Sequence, residues 1–341
     1  MSNKIIKTGI LSFGMSGTLF HAPFLNEHPG FQLTAVVERT KKIASTSYPN
    51  IKSYDTVDQL IADKDIDLVV VNTPNYTHFE FALKALRAKK HVLVEKPFCV
   101  SSAEAKELFA EAKKQDRWIL PYQNRRYDSD FLAVKKVLGS GKLGAMVEAH
   151  MRYDRYRYHI GPKIAKETPV PGSGLLYDLA PHLIDAAIAL FGYPLQWSKY
   201  TGQFRPKTQV DDYVHIHLVY PKGVQVFLTM SMLVVQPQAA FVLNGTKGTF
   251  VKQRTDIQEQ QLLAGMSPGN ALFGIEDANK YGVLTTISEN GERNTEEIES
   301  VKSSYINLFE DVYKSIVEGI PYPITEKDII KQIEILEGLE G

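Results

Sequence analysis

The chain has 341 residues with 39 Lys+Arg against 39 Asp+Glu, so its formal charge is zero and nothing marks nucleic acid or an anionic membrane as its partner. That length suits two domains, and the hydrophobic fraction of 44% is ordinary for a globular protein. A lone Cys99, a start at Met1-Ser2-Asn3-Lys4 without a signal-peptide pattern and no apolar run near the ~18 residues of a membrane span predict a cytoplasmic protein without disulfide or metal cluster.

The first third alternates short apolar runs with helical patterns. Strands are predicted at Ile5–Ser12, Leu33–Glu38, Leu68–Asn72, His91–Glu95 and Trp118–Pro121. Helices are predicted at Gly17–Glu27, Val57–Ala62, Thr77–Ala88 and Ala103–Gln115. Val69-Val70-Val71 lacks polar alternation, as in a strand covered on both faces. This rhythm implies an α/β fold with a doubly wound parallel sheet, assigned to residues 1–122.

From residue 123 the rhythm changes. A helix at Asp130–Leu138 and a strand at Ala145–Tyr153 precede a Gly/Pro loop and a strongly apolar helix, Leu175–Leu190. Strand runs follow at Tyr213–Tyr220, Val224–Met232, Ala239–Leu243 and Thr249–Lys252, with turn signals at Pro221-Lys222-Gly223 and Asn244-Gly245. They predict a second, α+β domain over 123–341 with an open, mostly antiparallel sheet. Helices at Tyr305–Glu318 and Glu326–Leu339 close the chain, and 253–300 has too little pattern to assign. By strand alternation, Val214, Ile216, Leu218 and Tyr220 share one face, as do Val224, Val226 and Leu228. That face is expected to pack on the Leu175–Leu190 helix, and the other to meet a second subunit, unless 253–300 covers it.

Ser12-Phe13-Gly14-Met15-Ser16-Gly17 follows the first strand and opens a helix. It is G-x-G-x-x-G with serine in the first glycine place, and predicts a dinucleotide pyrophosphate loop. Glu38 ends the second strand 21 residues beyond Gly17 (38 − 17), where an acid would take the adenosine ribose hydroxyls of NAD. Arg39 beside it suits an NADP 2′-phosphate, so the cofactor is NAD or NADP. Asn72-Thr73-Pro74-Asn75 and Glu95-Lys96 close the fourth and fifth strands on the ligand-binding edge. With His78, they complete the predicted cofactor set.

Lys96 can polarise a substrate oxygen. Asp178 and His182 lie four apart on one helix face, where histidine suits proton removal from an alcohol and aspartate a neighbouring hydroxyl. The alternative is a capping aspartate and a packed histidine.

These motifs in this order resemble the Gfo/Idh/MocA family of oxidoreductases, along nearly the whole chain. Phe20-His21-Ala22-Pro23, the 124–131 segment, Tyr153-Asp154-Arg155-Tyr156-Arg157 and the 176–182 segment are similar to its NADP-dependent scyllo-inositol dehydrogenase branch. The resemblance implies Lys96 as catalytic lysine, Asp178 as substrate-binding acid and His182 as general base. It also implies a polyol, inositol or sugar substrate and a homodimer or homotetramer joined through the second-domain sheet. Asn124, Arg125, Arg126, Tyr153 and Tyr177 are the expected substrate contacts, with interdomain ion pairs the alternative for the arginines. Ser12 and Glu38 depart from the family pattern, and Glu38 speaks against NADP. The expected reaction is reversible oxidation of a secondary alcohol; an NAD-assisted glycosidase and a non-catalytic ligand sensor are the competing functions.

Overall fold

A computed structural model of the chain describes residues 4–161 and 167–338. Met1, Ser2, Asn3 and the expected helix end at Leu339 lie outside the described residues. The chain forms two compact units.

The first unit holds six strands: β1 (Ile6–Ile10), β2 (Phe31–Val37), β3 (Lys52–Tyr54), β4 (Leu68–Val71), β5 (His91–Val94) and β6 (Ile119–Pro121). All its pairings are parallel, in the order β3-β2-β1-β4-β5-β6. Val69, Val70 and Val71 are fully buried, as the unbroken apolar run requires of a strand between helical layers. The order reverses direction between β1 and β4, which opens a crevice at their carboxyl ends. Two short elements escaped the sequence pattern: β3 and the single-turn helix Ala44–Ser47. The predicted Gly17–Glu27 helix is present, but its first turn, Gly17–His21, is π-wound.

The unit is not continuous in sequence. It comprises the stretch up to Asn124, then Gln258–Phe273 and Ser304–Ile330. The expected division at 122/123 had placed both later segments in the second domain. Their aromatic residues account for the return. Tyr305, Leu308, Phe309 and Val312 of the Tyr305–Tyr313 helix are fully buried. The Phe309 ring stacks on Phe24 with centroids 6.0 Å apart and meets Phe31 edge-on.

The second unit comprises Arg125–Ile257, Gly274–Ser303 and the stretch from Lys331. Its eight strands are β7 (Met146–Asp154), β8 (Gln196–Gly202), β9 (Tyr213–Val219), β10 (Gln225–Ser231), β11 (Phe241–Gly245), β12 (Gly248–Lys252), β13 (Gly282–Ile287) and β14 (Arg293–Ile298). They run in the order β14-β13-β12-β11-β7-β10-β9-β8, antiparallel except between β7 and β10. The unpatterned stretch therefore includes an edge hairpin, β13–β14, which lengthens the sheet.

Val214, Ile216, Leu218, Tyr220, Val226 and Leu228 form one buried face against the Gly174–Phe191 helix, as the alternation predicts. The opposite face is not apolar. It carries His150, His215 and His217 around the Phe227 ring, at centroid distances of 4.9, 6.1 and 4.7 Å. Gly174 starts the helix with φ of +82°, and a Cβ there would collide with Asp211. The Asp211 carboxylate accepts the Leu176 N–H at 2.6 Å, satisfying one open donor of the first turn. At 18 residues this helix is long and apolar enough to cross a bilayer, which the absence of a long apolar run had not led us to expect. Its burial in the sheet core makes it the central helix of this unit.

Candidate active site

In the first unit, the β1 and β4 ends are tied together by one side chain. Asn72 Oδ1 accepts the Ser12 N–H at 2.9 Å, while Asn72 Nδ2 donates to Ser12 O at 2.7 Å and Ser16 Oγ at 3.0 Å. Asn72 therefore orients the 12–17 loop from across the crevice. A Cβ on Gly17 would lie 2.2 Å from Ser12 O, so the loop closes only around glycine. A Cβ on Gly14 would meet only Ser12 Oγ, at 3.6 Å, within 4 Å. Gly14 thus leaves open the space through which a pyrophosphate reaches the backbone. Ser12 needs no left-handed backbone, which explains why serine serves in the first glycine place. Phe13 packs edge-on against Tyr48, and Met15 is exposed.

Gly17→Ala is expected to weaken dinucleotide binding by about tenfold or more, the equivalent of one misplaced backbone contact. Calorimetric titration checks this, and unchanged affinity would show that the loop relaxes freely.

Glu38 turns its carboxylate onto its own loop. Only 5% exposed, it accepts the N–H groups of Ile43 and Ala44 at 2.7 and 3.0 Å and the Ser53 hydroxyl at 2.8 Å. The acid at the strand end caps the Ala44–Ser47 turn and clasps β3. Arg39 beside it is exposed.

The other two edge loops converge on His78. This ring, 1% exposed, lies 2.7 Å from Pro97 O through Nδ1 and 2.8 Å from Thr73 O through Nε2. Burial draws its pKa below the ordinary imidazole value, against the opposing pull of the two carbonyls and Glu95. His78 thus sits between the two loops, and as a neutral imidazole with one N–H it donates to one of the two carbonyls at a time. Thr73 Oγ1 is 2.7 Å from Thr77 Oγ1, and the Thr77 hydroxyl and N–H both donate to Pro74 O. Asn75 is half-buried on the same turn.

Glu95 binds His21 Nε2 at 2.9 Å and accepts the Lys96 N–H at 3.1 Å. Burial raises its pKa, but the His21 hydrogen bond and the nearby charges of His21 and Lys96 prevail, holding the carboxyl below the usual range. The ionised form persists as pH falls, until that lowered value is crossed. Lys96 is half-buried and joined to Pro97 by a cis peptide bond. His21 had been noted only within a family-like motif; its partner, 74 residues away, has no local sequence signal.

In the second unit, Asp178 and His182 occupy successive turns of the Gly174–Phe191 helix. His182 is 6% exposed and its ring lies 6.2 Å from that of Tyr153. Pro181 between them has no N–H, and its carbonyl accepts Gln332 Nε2 at 2.9 Å. Asp178 Oδ2 lies 3.8 Å from Arg155 Nη1, in a half-exposed pair. Tyr153 is buried under the Arg254 guanidinium, 4.1 Å from the ring centre, with Arg155 at 5.6 Å. Burial raises the Tyr153 pKa, keeping the phenol neutral. Tyr177 is half-buried at the head of the same helix.

The expected substrate arginines are engaged elsewhere. Arg126 holds both oxygens of Asp185 at 2.8 Å, and Arg125 lies 3.0 Å from Asp128 and 2.6 Å from Asp256. Asp185, three residues past His182, was not anticipated; a helical spacing of three was the available signal. Asn124 is buried at the end of the first unit's opening segment.

A doubly wound sheet with a glycine-shaped crevice at its switch point suits a bound dinucleotide, and related sequences supply the class, an oxidoreductase. Residues 6–122 match the family model described as oxidoreductase family, NAD-binding Rossmann fold, and 131–251 match the GFO/IDH/MocA C-terminal domain. The chain belongs to the Gfo/Idh/MocA family of oxidoreductases, which use NAD or NADP. It is 35% identical to the uncharacterized oxidoreductase YdgJ of Escherichia coli, over 98% of this chain and 96% of that one. It is 32% identical to scyllo-inositol 2-dehydrogenase (NADP(+)) IolW of Bacillus subtilis, over 97% and 92%. Its fold is similar to that of an oxidoreductase from Bacillus cereus, with TM-score 0.88 and 32% identity over 97% and 95% of the two chains.

Proposed function

We propose that this chain reversibly oxidises a secondary alcohol on a cyclic polyol, inositol or sugar. The observation that carries the reading is the pairing of a nearly buried His182 with Asp178 one turn away on a rigid core helix. His182 takes the hydroxyl proton, and Asp178 accepts a hydrogen bond from a neighbouring hydroxyl. Lys96 donates to the reacting oxygen and stabilises its negative charge. When bound, the nicotinamide accepts the hydride from the same carbon. Glu95 and His78 hold the Lys96 loop in place, and Ser12, Phe13, Gly14, Met15, Ser16, Gly17, Asn72, Thr73, Pro74 and Asn75 frame the cofactor. The test is a panel of inositols and sugars with each cofactor, followed by absorbance of the reduced nicotinamide. A chain that oxidises none of them is not a dehydrogenase of this class.

NADP is the cofactor we favour over the NAD preference that Glu38 suggested. Glu38 is spent on its own loop and Arg39 stands exposed beside it. Glu38→Gln is expected to cost about 1–3 kcal/mol of stability, as for a hydrogen-bonded charge, with little change in the NAD-to-NADP affinity ratio. Thermal unfolding and paired titrations check both; a tenfold turn towards NADP would put Glu38 at the ribose.

The assembly we propose is a homodimer or homotetramer in the cytoplasm, joined through the histidine-bearing face of the second unit's sheet. Light scattering tests this, and a monomer at working concentration rejects it.

A further inference from the structure

The arginines around the Gly174–Phe191 helix fall into two groups. Arg125, Arg126, Arg152 and Arg254 each bring a guanidinium nitrogen within about hydrogen-bond distance of a carboxylate, at 3.0, 2.8, 3.1 and 3.0 Å from Asp128, Asp185, Asp154 and Asp130. Arg155 does not. Its approach to Asp178 is 3.8 Å, beyond a hydrogen bond. Arg157 is exposed and pairs with no carboxylate among the described residues. A guanidinium is always charged and carries five donors in a planar fork, so Arg155 retains donors that its surroundings do not use.

The backbone fixes where these side chains stand. Arg155 N–H donates to Ser231 O at 2.9 Å, Arg157 N–H to Met232 O at 2.7 Å, and Val234 N–H to Arg155 O at 3.0 Å. Tyr156 also makes an antiparallel bridge to Leu233. Alternation along such an extended segment puts Tyr153, Arg155 and Arg157 on one side. Tyr153 meets the His182 ring and Arg155 reaches Asp178, so that side is the one bearing the proposed proton acceptor. The sequence is biased in the same direction. Between 152 and 157, Arg152, Arg155 and Arg157 are opposed by Asp154 alone.

We infer that the substrate carries a carboxylate near the alcohol that is oxidised, and that Arg155, with Arg157 beyond it, receives this group. The inference rests on the reading of Asp178 and His182 as the substrate site, and narrows its substrate to sugar acids. The Arg155 fork matches a carboxylate in two parallel hydrogen bonds. The Tyr153 ring lies within cation–π reach of the guanidinium, 5.6 Å from ring centre to its carbon.

The experiment is equilibrium binding to the full-length protein with reduced cofactor present, so that no turnover is needed. Hexoses are paired with their own uronates and hexose 6-phosphates. At low salt, at least one uronate is expected to bind about tenfold or more tighter than its neutral parent, with the gap shrinking as salt rises. Arg155→Gln should abolish that preference, Arg155→Lys should keep part of it, and Arg157→Gln should reduce it. Thermal unfolding of each variant confirms that it is folded. Equal binding of acid and parent, failure of every acid to bind, a preference that survives Arg155→Gln, or tighter binding of the 6-phosphates overturns the assignment. If the uronate preference stands while no sugar or sugar acid is oxidised, the anion site is upheld and the dehydrogenase reading fails.

Discussion

His182→Ala is expected to lower turnover by roughly 10²–10⁴-fold, the usual worth of a positioned general base. The loss should fall on the rate at saturating substrate, because the imidazole acts on the proton that moves in the transition state. Cofactor affinity should hardly change, since His182 belongs to the second unit and the glycine loop to the first. In the wild type, the oxidation rate should fall on acidification, because a protonated imidazole cannot accept another proton. His182→Ala should flatten that limb of the profile. A variant that keeps near-normal turnover but melts early would identify His182 as a packed core histidine. Lys96 would then be the remaining proton acceptor.

The second large effect is expected on stability. Asp185 is 3% exposed and holds Arg126 in a two-pronged pair, with both contacts at 2.8 Å. Asp185→Ala takes this carboxylate away from the largely buried guanidinium, a loss of about 3–5 kcal/mol. For a protein of this size that corresponds to a fall of roughly 4–7 °C in the unfolding midpoint. Replacing both partners by apolar residues of similar volume should recover much of it, because the uncompensated charge disappears as well. Differential scanning calorimetry on the wild type and the two variants decides the matter. A normal midpoint for Asp185→Ala combined with a raised KM would return Arg126 to the substrate.

The sequence read well where burial writes a pattern. Val69-Val70-Val71 and the alternation through Val214, Ile216 and Leu218 announced strands because one or both faces are covered. The outer strands gave no such sign. Arg293-Asn294-Thr295-Glu296-Glu297 in β14 is exposed throughout, and β3 has three residues, none buried. An edge strand is set by the neighbour it pairs with, and its composition need not record that. The site follows the same logic. The glycine loop is legible because backbone proximity demands glycine at Gly17. For Glu38, Ser53 and the Ile43 and Ala44 amides, which its place at a strand end does not announce, decide where the side chain goes.

The return of the Tyr305–Tyr313 helix to the first unit bears on how the protein comes into being. A ribosome has released the whole glycine loop and all six parallel strands long before Tyr305 is made. Until then the Phe24 and Phe31 rings lack the Phe309 surface that covers them. The nascent nucleotide-binding half therefore waits, with aromatic surface uncovered, until the Tyr305–Tyr313 segment is made, a period in which chaperones have something to hold. A gene cut after Asn124 would make that waiting state permanent. A stand-alone cofactor module from this chain has to be built by splicing the 304–330 segment back onto its amino-terminal portion.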